Sequence, residues 1–103
     1  MFFMKPKPEC TREDVANAQQ DADCVIIDCR TPGEAAGGTV HGAIVHDWMG
    51  GAFQSKAGSL DKSKAYYLYC RSGNRSGQAA SFLKSKGFEK VYNAGAYSGL
   101  SGL

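Results

Sequence analysis

One cysteine stands where chemistry can happen. In the stretch YLYCRSGNRSG, residues 67–77, an apolar run stops at Cys70 and turns at once into two arginines, two glycines and small polar residues. A thiol is a weak nucleophile until it ionises, and its thiolate is stabilised by nearby cations and by unpaired amide hydrogens at a helix N-terminus. This turn supplies both. Gly73, with the small Ser72, Asn74 and Ser76, lets successive N–H groups point inward as an anion nest, and Arg71 and Arg75 add permanent positive charge. An arbitrary cysteine ending a strand is most often a buried small residue. Two glycines and two arginines within seven residues point instead to an anion-handling site with Cys70 as nucleophile and residues 71–75 as binders.

Such a site needs a strand before it and a helix after it. Ala65–Tyr69 has the length and aromatic content of a buried strand, and the helix beginning at Asn74 or Arg75 carries apolar residues at Ala79, Ala80, Phe82 and Leu83 before Lys84, Lys86 and Gly87 stop it. Upstream, Thr11 offers an N-cap to a helix reaching about Gln20, with Glu13 and Asp14 in its first turn. Residues 24–28, CVIID, read as a strand buried on both faces, residues 43–47 as a second, and residues 89–95 as the last. One helical turn fits around Glu34 to Ala36. Residues 48–64 read as loop with one short helix, because Gly50, Gly51 and Gly58 break any periodicity. Strands alternating with helices imply an α/β fold with a mainly parallel sheet, whose ligands bind at the carboxyl ends of strands. Cys70 lies at such an end.

The chain of 103 residues is the size of one domain. The expected boundaries are an extended lead-in over residues 1–8, a core over about 10–97 and a loosely held Gly/Ser-rich tail over 98–103. A net charge of +2 and the absence of a clustered basic face argue against nucleic acid, and no apolar run is long enough to span a membrane. The N-terminal MFFMKPKPEC lacks a continuous apolar signal segment, so a cytoplasmic protein is expected, a periplasmic mature form being the alternative. Cysteines at 10, 24, 29 and 70 form no CxxC pair and only His41 and His46 accompany them, so neither a metal nor another cofactor is expected.

The blocks DCRTPGEAAGGTVHGA, residues 28–43, and YCRSGNRSGQAASFLKSKGFEKVYNAG, residues 69–95, resemble a single-domain rhodanese, the thiosulfate sulfurtransferase family. The closing VYNAG is similar to small stand-alone members of the phage-shock type. The resemblance puts the family's aspartate-x-arginine on Asp28 and Arg30, its glutamate on Glu34, its turn glycines on Gly38 and Gly42, and its active-site loop on Cys70 to Arg75. It implies a rhodanese-like domain with about five strands and helices on both faces of the sheet. Thr39 and His41 depart from the family's GHIPGA segment, and the usual C-terminal tryptophan is absent, with Tyr97 and Leu100 nearby. These changes touch packing and partner choice more than the loop.

Loop length separates two related chemistries. A phosphatase loop needs Cys-x5-Arg, whereas here Arg75 comes one residue early and position 76 is serine. The shorter loop suits a persulfide sulfur, so the resemblance implies transfer of the outer sulfur of thiosulfate through Cys70 to cyanide or a thiol. Arg71 and Arg75 would attract the thiosulfate. Asp28, Arg30 and Glu34 are expected to pair and hold the loop from beneath, since buried charges need partners. The alternative function is a persulfide carrier serving a protein acceptor, for which Trp48, Met49 and Phe53 would offer a docking patch. Cys29, also at a strand end, reads as a core residue because side chains alternate and it points opposite to Asp28 and Arg30; a resolving thiol is the alternative.

Overall fold

The computed structural model describes residues 6–103. The N-terminal expectations for residues 1–5 lie outside it. Helix α1, Arg12–Ala18, opens with a capping box in which Thr11 Oγ1 accepts the Asp14 amide and the Asp14 carboxylate accepts the Thr11 amide. Strand β1, Cys24–Asp28, is followed by a single helical turn, α2, Pro32–Ala35, with a second capping box between Thr31 and Glu34. Strand β2 is only Ile44–Val45, shorter than the five residues expected, because backbone pairing with β1 reaches only those two residues. Helix α3, Ala52–Lys56, and a 3-10 turn at Ala57–Ser59 fill the glycine-broken region. Strand β3, Ala65–Cys70, helix α4, Asn74–Ser85, and strand β4, Val91–Ala96, complete the order.

All pairings are parallel and the sheet order is β2-β1-β3-β4. Among the described residues the sheet therefore has four strands rather than about five. Just after the lead-in, the Glu9 amide reaches the β4 edge with a backbone hydrogen bond to the Asn93 carbonyl, and the described residues 6–9 form no strand there.

Period-two alternation divides the sheet between two cores. On one face Ile27, Tyr66, Leu68 and Cys70 pack with Phe53 of α3 and with Ala79, Ala80 and Leu83 of α4. On the other, Ile26, Tyr69 and Ala94 pack with Val15 and Ala18 of α1. Helices thus cover both faces, as an all-parallel sheet requires. No helix among the described residues is long and apolar enough to cross a membrane.

The tail is not loose. Leu100, 3 % exposed, completes the second core. The Arg12 guanidinium donates to the Gly99 and Ser101 carbonyls at 3.2 and 2.8 Å, and the Gln19 amide to the Leu103 carbonyl at 2.9 Å. A segment rich in glycine and serine is held here by Leu100 and Leu103 as apolar anchors and by donors from α1 and its C-cap, none visible in its own composition.

Candidate active site

Cys70 is the last residue of β3, and the chain turns through Arg71–Gly73 directly into α4. Gly73 caps the helix in the left-handed region at φ 96°, where a side chain would be strained; a Cβ there would also lie 3.3 Å from the Gly95 Cα. Loop and β4 can therefore approach closely only with glycine at position 73. The Gly73 amide donates to Cys70 Sγ at 3.1 Å and the Ser76 amide at 3.4 Å, while the Ser76 hydroxyl lies 3.4 Å away. The helix N-terminus faces the sulfur.

These donors set the acidity of the thiol. Burial, the largest single influence, opposes ionisation, but the Ser76 hydroxyl and the amides of Ser76, Ser72 and Gly73 together outweigh it, so Cys70 lies below the ordinary thiol value. Backbone dipoles and a serine carry this effect. Arg71 is exposed at the rim, where it lines an open cleft of about 510 Å³ with Arg30, Glu34, Tyr97, Ser98 and Ser101. Ser72 and Asn74 complete the loop; the Asn74 amide donates to Ser72 Oγ at 3.3 Å.

Arg75 is bound sideways. Its two terminal nitrogens donate to the two Glu34 carboxylate oxygens at 2.7 and 2.9 Å, and Glu34 Oε1 also accepts the Thr31 amide at 3.0 Å. One carboxylate thus ties α4 to α2. The Arg75 hydrogen bond holds Glu34 down at about 2, against partial burial and with help from Thr31. Because the folded value lies below the usual 4.5, the pair's stabilisation is present above that value and is lost as pH falls from 4.5 toward 2. Acid unfolding followed by circular dichroism should show the wild type losing stability through this window and a Glu34→Gln variant showing a shallower slope.

Asp28 and Arg30 sit elsewhere. Asp28, on β1, faces the core opposite to Cys70; Arg30 Nε and Nη2 contact its carboxylate at 2.8–3.1 Å, and the Tyr69 hydroxyl donates to Asp28 Oδ2 at 2.9 Å. Tyr69 in turn accepts the Val40 amide, and Arg30 donates to the Gly38 carbonyl at 2.6 Å. The guanidinium lies 4.3 Å from the Tyr97 ring centroid, and Tyr97 stacks on Tyr69. This pair braces residues 38–40 and the strand end that carries Cys70. Only Glu34, of the three charged residues expected beneath the loop, touches a loop side chain directly.

Two contributors escaped the sequence reading: the Ser76 hydroxyl, whose single proton is shared between Cys70 Sγ and Asn93 Oδ1, and Asn93 itself. Asn93 Nδ2 donates to the Gly73 carbonyl at 3.0 Å, and its Oδ1 accepts the Ser76 hydroxyl at 2.7 Å and the Gly95 amide at 2.9 Å. A polar residue amid the apolar run of a strand expected to be buried was the available signal. Asn93→Ala leaves the Gly73 carbonyl with the Gly77 amide alone and takes the side-chain acceptor from the Gly95 amide, so it should lower stability by about 1–3 kcal/mol. It should also raise the pH midpoint for Cys70 alkylation by iodoacetamide, as the loop loses its clamp.

The apolar residues expected as a docking patch divide. Phe53 is buried and Trp48 packs edge-on against Phe53 and Phe82, its Nε1 donating to Gln78 at 2.9 Å. Of the three, Met49 alone stays open, 68 % exposed; Ile44 and Val45 of the edge strand are exposed as well.

Comparison with known proteins places this geometry. A putative sulfurtransferase of Bacillus subtilis, YtwF, is 37 % identical over 73 residues, covering 71 % of this chain and 69 % of its own. The tRNA uridine(34) hydroxylase of Rhizobium leguminosarum is 34 % identical over 82 residues, covering 71 % of this chain, which spans only 25 % of that protein's length. The solved structure of an E. coli rhodanese with anions superposes with a TM-score of 0.68 at 30 % identity, over 76 % of this chain and 92 % of that one. Residues 11–100 match the family model of the rhodanese-like domain, and the chain belongs to that family.

Proposed function

We propose that the protein is a sulfurtransferase that moves the outer sulfur of thiosulfate to cyanide or a thiol through a persulfide on Cys70. The Cys70 thiolate attacks the outer sulfur, the sulfur–sulfur bond of thiosulfate breaks, and sulfite leaves with the bonding electron pair. The acceptor's nucleophile then attacks the bound sulfur and returns Cys70 as thiolate. This is two-step covalent catalysis, in which the hydrogen-bond donors that lower the Cys70 pKa favour the thiolate in place of a general base. The observation that carries the reading is the cradle of Gly73 and Ser76 donors around Sγ, which suits an anionic sulfur in both steps.

Arg75 supports sulfur over phosphoryl transfer. Its guanidinium is held by Glu34 rather than left to clasp a phosphate, so it fixes the helix start and adds charge from the side. Arg71, exposed at the cleft, is the better candidate to draw thiosulfate in. Cys70 itself is fully buried beneath the loop.

A second reading, a persulfide carrier for a protein acceptor, is favoured by exposed Met49, Ile44 and Val45. Steady-state thiocyanate formation from thiosulfate and cyanide separates the two. Sustained turnover supports the enzyme; uptake of one sulfur with negligible thiocyanate supports the carrier.

A further inference from the structure

Cys29 and Cys70 share more than a strand end. The parallel register runs Ile27 to Leu68 and Asp28 to Tyr69, and the Cys29 amide extends the ladder to the Tyr69 carbonyl at 2.8 Å. Cys29 therefore stands directly opposite Cys70. Both side chains face the same core, both residues are 0 % exposed, and both thiols are free. Neighbouring strands lie about 4.8 Å apart, inside the span of about 4.4–6.8 Å between Cα atoms that a disulfide bridges. Parallel Cβ vectors require a small approach of the two sulfurs; Cys29 stands just past the end of β1, its backbone held by the Tyr69 carbonyl and the Trp48 amide. Cys10 and Cys24 pack against the opposite face and offer Cys70 no such partner.

We propose that Cys29 is a resolving thiol that converts the Cys70 persulfide into a Cys29–Cys70 disulfide and releases hydrosulfide, giving the protein a sulfide-releasing activity when no external acceptor arrives. This rests on the sulfurtransferase reading. Cys29 sulfur attacks Cys70 Sγ, the bond between Sγ and the outer sulfur breaks, and the outer sulfur leaves with the electron pair and the Cys29 proton as HS⁻. The outer sulfur is reduced by one electron, the Cys29 sulfur is oxidised by one, and Cys70 Sγ keeps the oxidation state it has in the persulfide. No further oxidant enters. Restoring the thiols takes two electrons from an external dithiol.

The environment orders the steps. Burial pushes the Cys29 thiol well above its usual value, with Cys70 and Asp28 adding to the effect and Arg75 opposing it. Cys29 therefore stays protonated while Cys70 takes sulfur from the donor. Resolution is then slow beside capture, so an acceptor at hand takes the sulfur first and hydrosulfide is released only when none comes.

The test loads reduced wild type, Cys29→Ser and Cys29→Ala with thiosulfate, removes the excess, and follows intact mass and free sulfide over hours without acceptor. Circular dichroism verifies that each variant is folded. Wild type should pass from the mass of one added sulfur to that of two lost hydrogens, release one sulfide per chain, and yield a peptide linking Cys29 to Cys70. The decay should be first order and independent of protein concentration, and both variants should hold their sulfur at least about tenfold longer, as an intramolecular attack requires. Equal lifetimes in wild type and variants, or sulfur loss without the linked peptide, would overturn the resolving role and leave sulfur transfer standing. If folded variants and wild type alike take up no sulfur, the sulfurtransferase reading fails and the resolving role with it.

Discussion

Cys70→Ser will lose sulfur transfer, with thiosulfate-dependent thiocyanate formation falling by at least about a thousandfold, to the background of the uncatalysed reaction. The loop lowers the pKa of a thiol that begins near 9, and no comparable shift brings a serine hydroxyl into the ionised form at neutral pH. Nor does an oxygen at that position form the persulfide. The fold should hardly notice, because serine is close in size and the Gly73 and Ser76 donors can bond its oxygen as they bond sulfur. Denaturation midpoints of the two proteins should agree within about 1 kcal/mol. Turnover in the variant above a tenth of wild type would remove Cys70 from the reaction.

Asp28→Ala should have the largest effect on stability, about 3–5 kcal/mol, because it leaves a buried guanidinium without its carboxylate. The Asp28 side chain is 0 % exposed and that of Arg30 7 %, so little water reaches the place of the lost partner. The Tyr69 hydroxyl loses its acceptor at the same time. Against the 5–15 kcal/mol that holds an ordinary domain together, such a loss brings unfolding close. Urea denaturation measures it directly, and the double variant Asp28→Leu with Arg30→Met should recover much of the loss, since an apolar pair removes both charges together. A loss below about 1 kcal/mol in the single variant would mean that Arg30 finds another partner or reaches solvent.

The cysteine turn was legible because everything that makes it is local: a strand end, a glycine that can take positive φ, small residues and a helix start lie within seven positions. The same holds for Thr11 and Asp14, which are capping partners three residues apart. What the sequence left hidden is long-range. Glu34 and Arg75 meet across 41 positions, and their pairing braces two helices through a residue expected from the sequence only as an anion binder. Asn93 reads as one more residue of a strand until β4 lies against Gly73. Composition misled at the C-terminus, where Tyr97 and Leu100 anchor a segment whose glycines and serines suggest freedom. Alternation along β1 placed Cys29 correctly in the core, opposite to Asp28. That it shares a register position with Cys70 depends on which strand lies next to β1, a property of the sheet order.

The central claim is that Cys70 carries sulfur, and intact-mass spectrometry of the reduced protein after brief exposure to thiosulfate tests it most directly. The account predicts that wild type gains the mass of one sulfur atom, lost again on adding cyanide, and that Cys70→Ser gains nothing. A folded, reduced wild type that gains no sulfur, or a serine variant that gains as much, would contradict it.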